Sequence, residues 1–202
     1  AMGLYLAGID ESNLPMIFAR AILSLRDAAE REVDGPELIN AFARVLAPSN
    51  QQRAKLAARL IKPFTSYETR REIVLWIELM QAGADRDHAF SVSVEHILPQ
   101  NPILSDEWMQ TFPDVAERKA LEDLLGNLVL IPYDLNARLA SHPFEEKVRL
   151  MSEWPGGLEK FTLAGEVLSE DAWTPDTIRA RTSAVAKQVV SMLELPGEAA
   201  FL

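Results

Sequence analysis

Between Ala89 and Ile97 the hydrophobic pattern of this chain changes period. Phe90, Val92 and Val94 alternate with Ser91, Ser93 and Glu95, which is the spacing of a strand, whereas the apolar residues before them recur three and four apart. A second short apolar run, Leu128 to Ile131, opens directly after Gly126-Asn127 and also reads as a strand. Two short strands and a following helix inside an otherwise helical chain predict an α+β fold, mostly helical, with a small ββα centre embedded in helices.

Helical spacing is expected from Leu14 to about Arg31, from Glu37 to Leu46, from about Gln51 to Ile61, and from near Ser66 until Gly83. These stretches hold no cluster of reactive side chains and read as a packed helical platform, residues 1–88. Residues 89–202 are expected to form the second part. There Ser105-Asp106-Glu107-Trp108 resembles a helix cap and first turn. Asp114 to Leu125 reads as a helix stopped by a glycine cap at Gly126. Another helix is expected from Asp134 to about Leu139, with its N-cap at Asp134 or Tyr133. Ser141 to Phe144 reads as a turn, and Phe144 to Ser152 as a helix exposing Lys147 and Arg149. Trp173-Thr174-Pro175-Asp176 should cap a last helix reaching about Leu193, with Ile178, Val185, Val189 and Met192 inward and Arg179, Arg181 and Lys187 toward solvent.

Composition narrows the chemistry. With 202 residues, 48% of them hydrophobic, the chain can bury a real core. No apolar run approaches the roughly 18 to 20 residues of a membrane helix, so a cytoplasmic protein is expected, as the C-terminal part of a longer one. The absence of cysteine excludes disulfides and cysteine-ligated zinc, leaving oxygen and imidazole as metal donors. A net charge of −10 argues against a generic nucleic-acid coat, although an active site needs only a local positive patch.

Val94-Glu95-His96-Ile97-Leu98-Pro99-Gln100 sets a carboxylate and an imidazole side by side at the end of the first strand. Phosphodiester hydrolysis requires an activated water, a Lewis acid on the phosphate and stabilisation of the leaving oxygen, and one histidine with one divalent ion can supply all three. His96 can accept a proton from water near neutral pH. Glu95 and Asn136 are hard oxygen donors of the kind magnesium takes. Neighbours on a regular strand face opposite ways, so both can serve one site only if the strand ends or bends, which Pro99 favours.

The stretch Val94 to Gln100, then Gly126-Asn127-Leu128-Val129-Leu130-Ile131, then Asn136, resembles the HNH (His-Me finger, ββα-metal) endonucleases, and among them the C-terminal nuclease domain of GmrSD-type restriction proteins. Further likeness lies in Asn136-Ala137-Arg138 through Lys147 and in Trp173 through Arg181. The resemblance implies a divalent-metal-dependent DNA endonuclease or nickase with magnesium or manganese. In it His96 is the general base, Asn127 assists catalysis by fixing the loop beside the histidine, and Glu95 and Asn136 hold the ion. Arg138, Lys147 and Gln100 are candidates for contacting double-stranded DNA. It also implies restriction of modified phage DNA, through glucosylated bases or phosphorothioate linkages, and an upstream ParB-like nucleotide-hydrolysing domain. Glutamate stands where the family more usually has aspartate, Val129 where threonine is common and His142 where asparagine is common. None of these removes a required atom type.

Each residue also has a plainer reading. His96 could be a strand-end histidine, Asn127 could follow a helix cap, Asn136 could be a surface residue in a first helical turn, and Arg138 and Lys147 could line a solvated helix face. His88 and His142 read as surface turn residues. The alternative to an enzyme is a catalytically silent DNA- or protein-binding module that keeps the nuclease fold, which the acidic charge favours.

Overall fold

The computed structural model describes residues 48–82, 91–102, 106–158 and 161–193. The two expected helices before residue 47, the expected boundary at residue 88, and His88 lie outside them. The chain divides into two compact units, Ala1–Arg59 with Lys187–Leu202, and Leu60–Ala186.

Helix α1 (Asn50–Leu60) belongs to the first unit except for its last residue, Leu60. Ser49 and Gln52 start it with a reciprocal capping box: the Ser49 hydroxyl accepts from the Gln52 amide N–H, and the Gln52 side chain accepts from the Ser49 N–H.

The second unit carries every candidate site residue. In chain order it contains α2 (Tyr67–Ala82), β1 (Val92–His96), α3 (Asp106–Thr111), α4 (Val115–Glu122), a 3-10 turn (Leu125–Asn127), β2 (Leu128–Pro132), α5 (Tyr133–Leu139), α6 (Phe144–Ser152), α7 (Thr162–Val167) and the start of α8 (Pro175–Met192). The fold is mostly helical with one small sheet, the α+β class the sequence predicts. β1 and β2 pair antiparallel, with Glu95 opposite Val129 and His96 opposite Leu128. Leu128, Val129, Leu130 and Ile131 are all buried, because α2 and α7 pack against β2 and α5 packs against both strands. A strand covered on both faces needs no polar alternation, which explains the unbroken apolar run.

Several local expectations are corrected. α4 begins at its Asp114 cap but ends at Glu122, with Asp123 as C-cap, not at Leu125. Gly126 is not a left-handed helix cap. It lies in the 3-10 turn, and a Cβ there would stand 2.2 Å from the Ile178 carbonyl oxygen, so glycine is required for close approach to α8. α5 starts at Tyr133 with Pro132 as N-cap and no side-chain cap bond. Helix α7 had no expectation in the sequence. Its N-terminus is capped by the buried Glu78 carboxylate of α2, which accepts from the N–H groups of Thr162 (2.8 Å) and Leu163 (3.0 Å).

Arg181 is buried, not solvent-facing. It donates to the carbonyls of Gly126 (2.6 Å) and Leu163 (3.0 Å) and lies over the Trp173 ring.

Candidate active site

β1 positions the first two residues, and its free edge positions two more. Tyr133 N–H donates to the Ser91 carbonyl and Ile97 N–H to the Asn127 carbonyl, so odd-numbered residues of β1 exchange bonds with β2. The carbonyls of Val94 and His96 therefore point away from the sheet and need other partners. Asn136 on α5 donates its Nδ2 to the Val94 carbonyl (3.0 Å), and Lys147 on α6 donates its Nζ to the His96 carbonyl (3.0 Å). Two side chains from successive helices thus close the edge at the end of the strand.

Lys147 also forms an ion pair with Glu95 inside the protein. Burial pushes the Glu95 carboxyl up and the Lys147 ammonium down, while each charge pulls the other back. Lys147 is 0% exposed, so the solvent-facing, DNA-contacting lysine expected at this position is replaced by an interior one. α5 packs on β1 and α6 packs on α5, with Lys147 turned inward to reach the strand, and the ammonium compensates a carboxylate that the strand buries.

His96 faces the other way, as alternation requires. Its Nε2 lies 3.0 Å from Oδ1 of Asp123, and the same oxygen accepts from Arg70 Nη1 (2.8 Å) and Gln100 Nε2 (3.1 Å). Arg70 is held in turn by the carbonyls of Phe64 and Thr65. Burial lowers the pKa of His96 below the usual histidine value, and the Asp123 hydrogen bond and charge partly restore it. Among the described residues no protein group is hydrogen-bonded to Nδ1, and the side chain keeps 15% of its surface open. The ring is thus held at one nitrogen and available at the other.

Asn127 is fully buried and uses all of its amide. Its Oδ1 accepts from Leu98 N–H (2.7 Å) and Trp173 Nε1 (3.0 Å), and its Nδ2 donates to the carbonyls of Leu98 (3.0 Å) and Glu122 (2.8 Å). It clamps the chain just after His96 to the end of α4 and to Trp173.

Arg138 is exposed on α5, with its guanidinium 5.4 Å from the Trp154 ring centroid. His142 is exposed in its turn, as expected. The structure therefore brings His96, Gln100 and Asn127 around one loop and Glu95, Asn136 and Lys147 around the β1 edge, and leaves Arg138 on the surface.

Residues 50–188 match the family model of the GmrSD restriction endonucleases, C-terminal domain. The chain belongs to that family. No curated protein and no solved structure matches it. As a GmrSD C-terminal domain the chain has a restriction-endonuclease role with DNA as the implied substrate, and among its described residues no helix is long and apolar enough to cross a membrane.

Glu95 and Asn136 of this GmrSD domain are donor types that a hard divalent ion takes, but the single site expected with His96 is not assembled. β1 stays regular through His96, so Glu95 faces away from the histidine, and its buried carboxylate is neutralised by the Lys147 ammonium. Because Asn136 spends its Nδ2 on Val94, its Oδ1 is the atom left to offer, whereas the Glu95 carboxylate would become a ligand only by exchanging Lys147 for the ion. Among the described residues no three His, Cys, Asp or Glu side chains group together, so an ion here would rely on water and phosphate oxygens for the rest of its shell, as magnesium commonly does.

Asp123 and Arg70 were not singled out in the sequence. Asp123 sits among Glu117, Arg118, Lys119 and Glu122, a charged run that reads as the solvated side of a helix. Only the early end of α4 turns its carboxylate inward.

Proposed function

We propose that this domain is an HNH-type, divalent-metal-dependent DNA endonuclease or nickase in which His96 is the general base. The observation that carries the reading is the state of the imidazole: tethered through Nε2, open at Nδ1, and kept neutral near pH 7 by burial. Nδ1 takes a proton from water as that water attacks phosphorus, and the 3′ oxygen leaves in line. A magnesium or manganese ion would neutralise charge on the phosphate and the leaving oxygen, and Glu95 and Asn136 would hold it beside His96 once Glu95 exchanges Lys147 for the ion and turns toward the histidine's face. Asn127 keeps the His96 loop in register. Gln100, beside the histidine, and Arg138 on α5 are the side chains proposed to meet the DNA backbone. In the family's context the target is modified phage DNA in the cytoplasm. Recognition of the modification belongs to an upstream ParB-like nucleotide-hydrolysing domain.

The test is cleavage of supercoiled plasmid at low salt with magnesium or manganese, comparing the wild type with His96→Ala and with an EDTA control. Metal-dependent nicking that the substitution abolishes is the expected result. Equal inertness of both proteins, here and in a full-length protein carrying the upstream domain, would overturn the nuclease reading in favour of a silent binding module.

A further inference from the structure

We propose that Asp123 is the positioning residue of His96, holding the imidazole as its Nε2–H tautomer so that Nδ1 is the nitrogen that takes the proton. This rests on His96 being the base proposed above, and it adds a residue outside the set Glu95, His96, Asn127 and Asn136.

The argument is one of donors and acceptors. A carboxylate oxygen only accepts, so each of the three nitrogens around Asp123 Oδ1 must donate. Arg70 always can, and the Gln100 amide does so through Nε2. A neutral imidazole has one N–H, and satisfying Oδ1 at 3.0 Å places it on Nε2. The lone pair then resides on Nδ1, which faces no protein partner among the described residues. A carboxylate that fixes tautomer and ring orientation is the logic of the base–orienter pair in hydrolytic triads.

Asp123 is itself fixed. Its backbone carbonyl accepts from Phe64 N–H (2.9 Å), and Arg70, anchored on the Phe64 and Thr65 carbonyls, pins its side chain. The carboxylate therefore does not follow the ring if His96 swings. A merely structural reading, in which Asp123 only ties residues 64–70 to the end of α4, predicts no coupling to the imidazole.

The experiment reads the His96 ring nitrogens of this chain by 15N NMR at a pH where the ring is neutral, together with steady-state nicking and thermal melting. Expected are an Nε2–H tautomer in the wild type and a mixed tautomer in Asp123→Ala. The alanine variant should lose about tenfold or more in kcat per folded molecule, with KM changed by less than about threefold. Asp123→Asn, which can keep an acceptor oxygen in place, should restore the tautomer and much of kcat. A wild-type Nδ1–H tautomer overturns the proposal whether or not the variants fold. So does a kcat in Asp123→Ala that merely tracks the folded fraction. If the tautomer is locked by Asp123 while the wild type does not cut DNA, the positioning holds and the nuclease reading is what fails.

Discussion

At the scale of single residues, the Glu95–Lys147 pair and His96 respond to substitution in opposite ways. Lys147 is wholly interior and neutralises a buried carboxylate while capping the His96 carbonyl. Removing one member of such a pair strands the other charge in a poorly solvated place, so Lys147→Ala is expected to cost about 3–5 kcal/mol in denaturant unfolding. A lysine serving DNA instead would lose affinity at unchanged stability, and that outcome would return it to the interface. For His96 the sign runs with pH. Burial outweighs Asp123 and holds the native pKa below the ordinary value. The unfolded chain therefore takes up this proton first as the solution is acidified. The contribution of His96 to stability is whole above about pH 6.5 and is lost as pH falls through the lower native value. The same depression keeps the proposed base unprotonated at pH 7, so kcat/KM for nicking, which reports the free protein, should rise with pH along an acid limb centred below about 6.5. An acid limb centred above that value would show that burial does not govern the group.

At the scale of elements, what could be read in the sequence was whatever is encoded locally. The change of period at residues 90–97, the capped starts at Asp114 and Thr174, and the apolar run 128–131 all lie within a few residues of their cause. α7 escaped because its cap, Glu78, is 84 residues away. Lys147 and Arg181 escaped because an isolated cation on a helix face reads as solvated until its carboxylate or carbonyl partner is known. In the same way the spacing of Glu95, His96, Asn127 and Asn136 was visible, while the Asp123 side of the histidine was not. Two junctions show how tightly these elements are set. Ala140 joins α5 to the turn before α6 with φ 40° and ψ −129°, and His142 N–H bonds back to the Leu139 carbonyl across it. That backbone suits glycine, so Ala140→Gly should stabilise the protein by about 1 kcal/mol, the relieved strain exceeding the added chain entropy. Unchanged or lower stability would mean that the turn carries no such strain. Gly126→Ala should cost about 3 kcal/mol, because the added methyl meets the backbone oxygen of Ile178. Trimming Thr182 to Ser should not rescue it, since the nearest obstacle is backbone.

At the scale of the whole molecule, an acidic protein that acts on DNA has to explain its affinity. The chain has 20 Lys and Arg against 30 Asp and Glu. Two arginines on the surface of the second unit are already committed: Arg149 bridges Glu146 and Glu153, and Arg179 pairs with Glu117 and Asp176. Lys147 and Arg181 are interior. Among the described residues Arg138 on α5 and the partly engaged Lys119 on α4 are exposed cations on which phosphate oxygens can replace or join existing partners. Each phosphate neutralised contributes a slope of about −0.9 to the dependence of log K on log salt. A site with two or three such contacts should therefore show a slope of about −2 to −3 when His96→Ala is titrated with duplex DNA. A protein that grips DNA alone through 6–10 phosphates would show a slope of roughly −5 to −9. Arg138→Ala should flatten the slope by about one unit without altering the melting midpoint of the protein. A steep slope in the parent, or no change on removing Arg138, would place the DNA on another face of this domain and would detach the surface of α5 from the chemistry at His96.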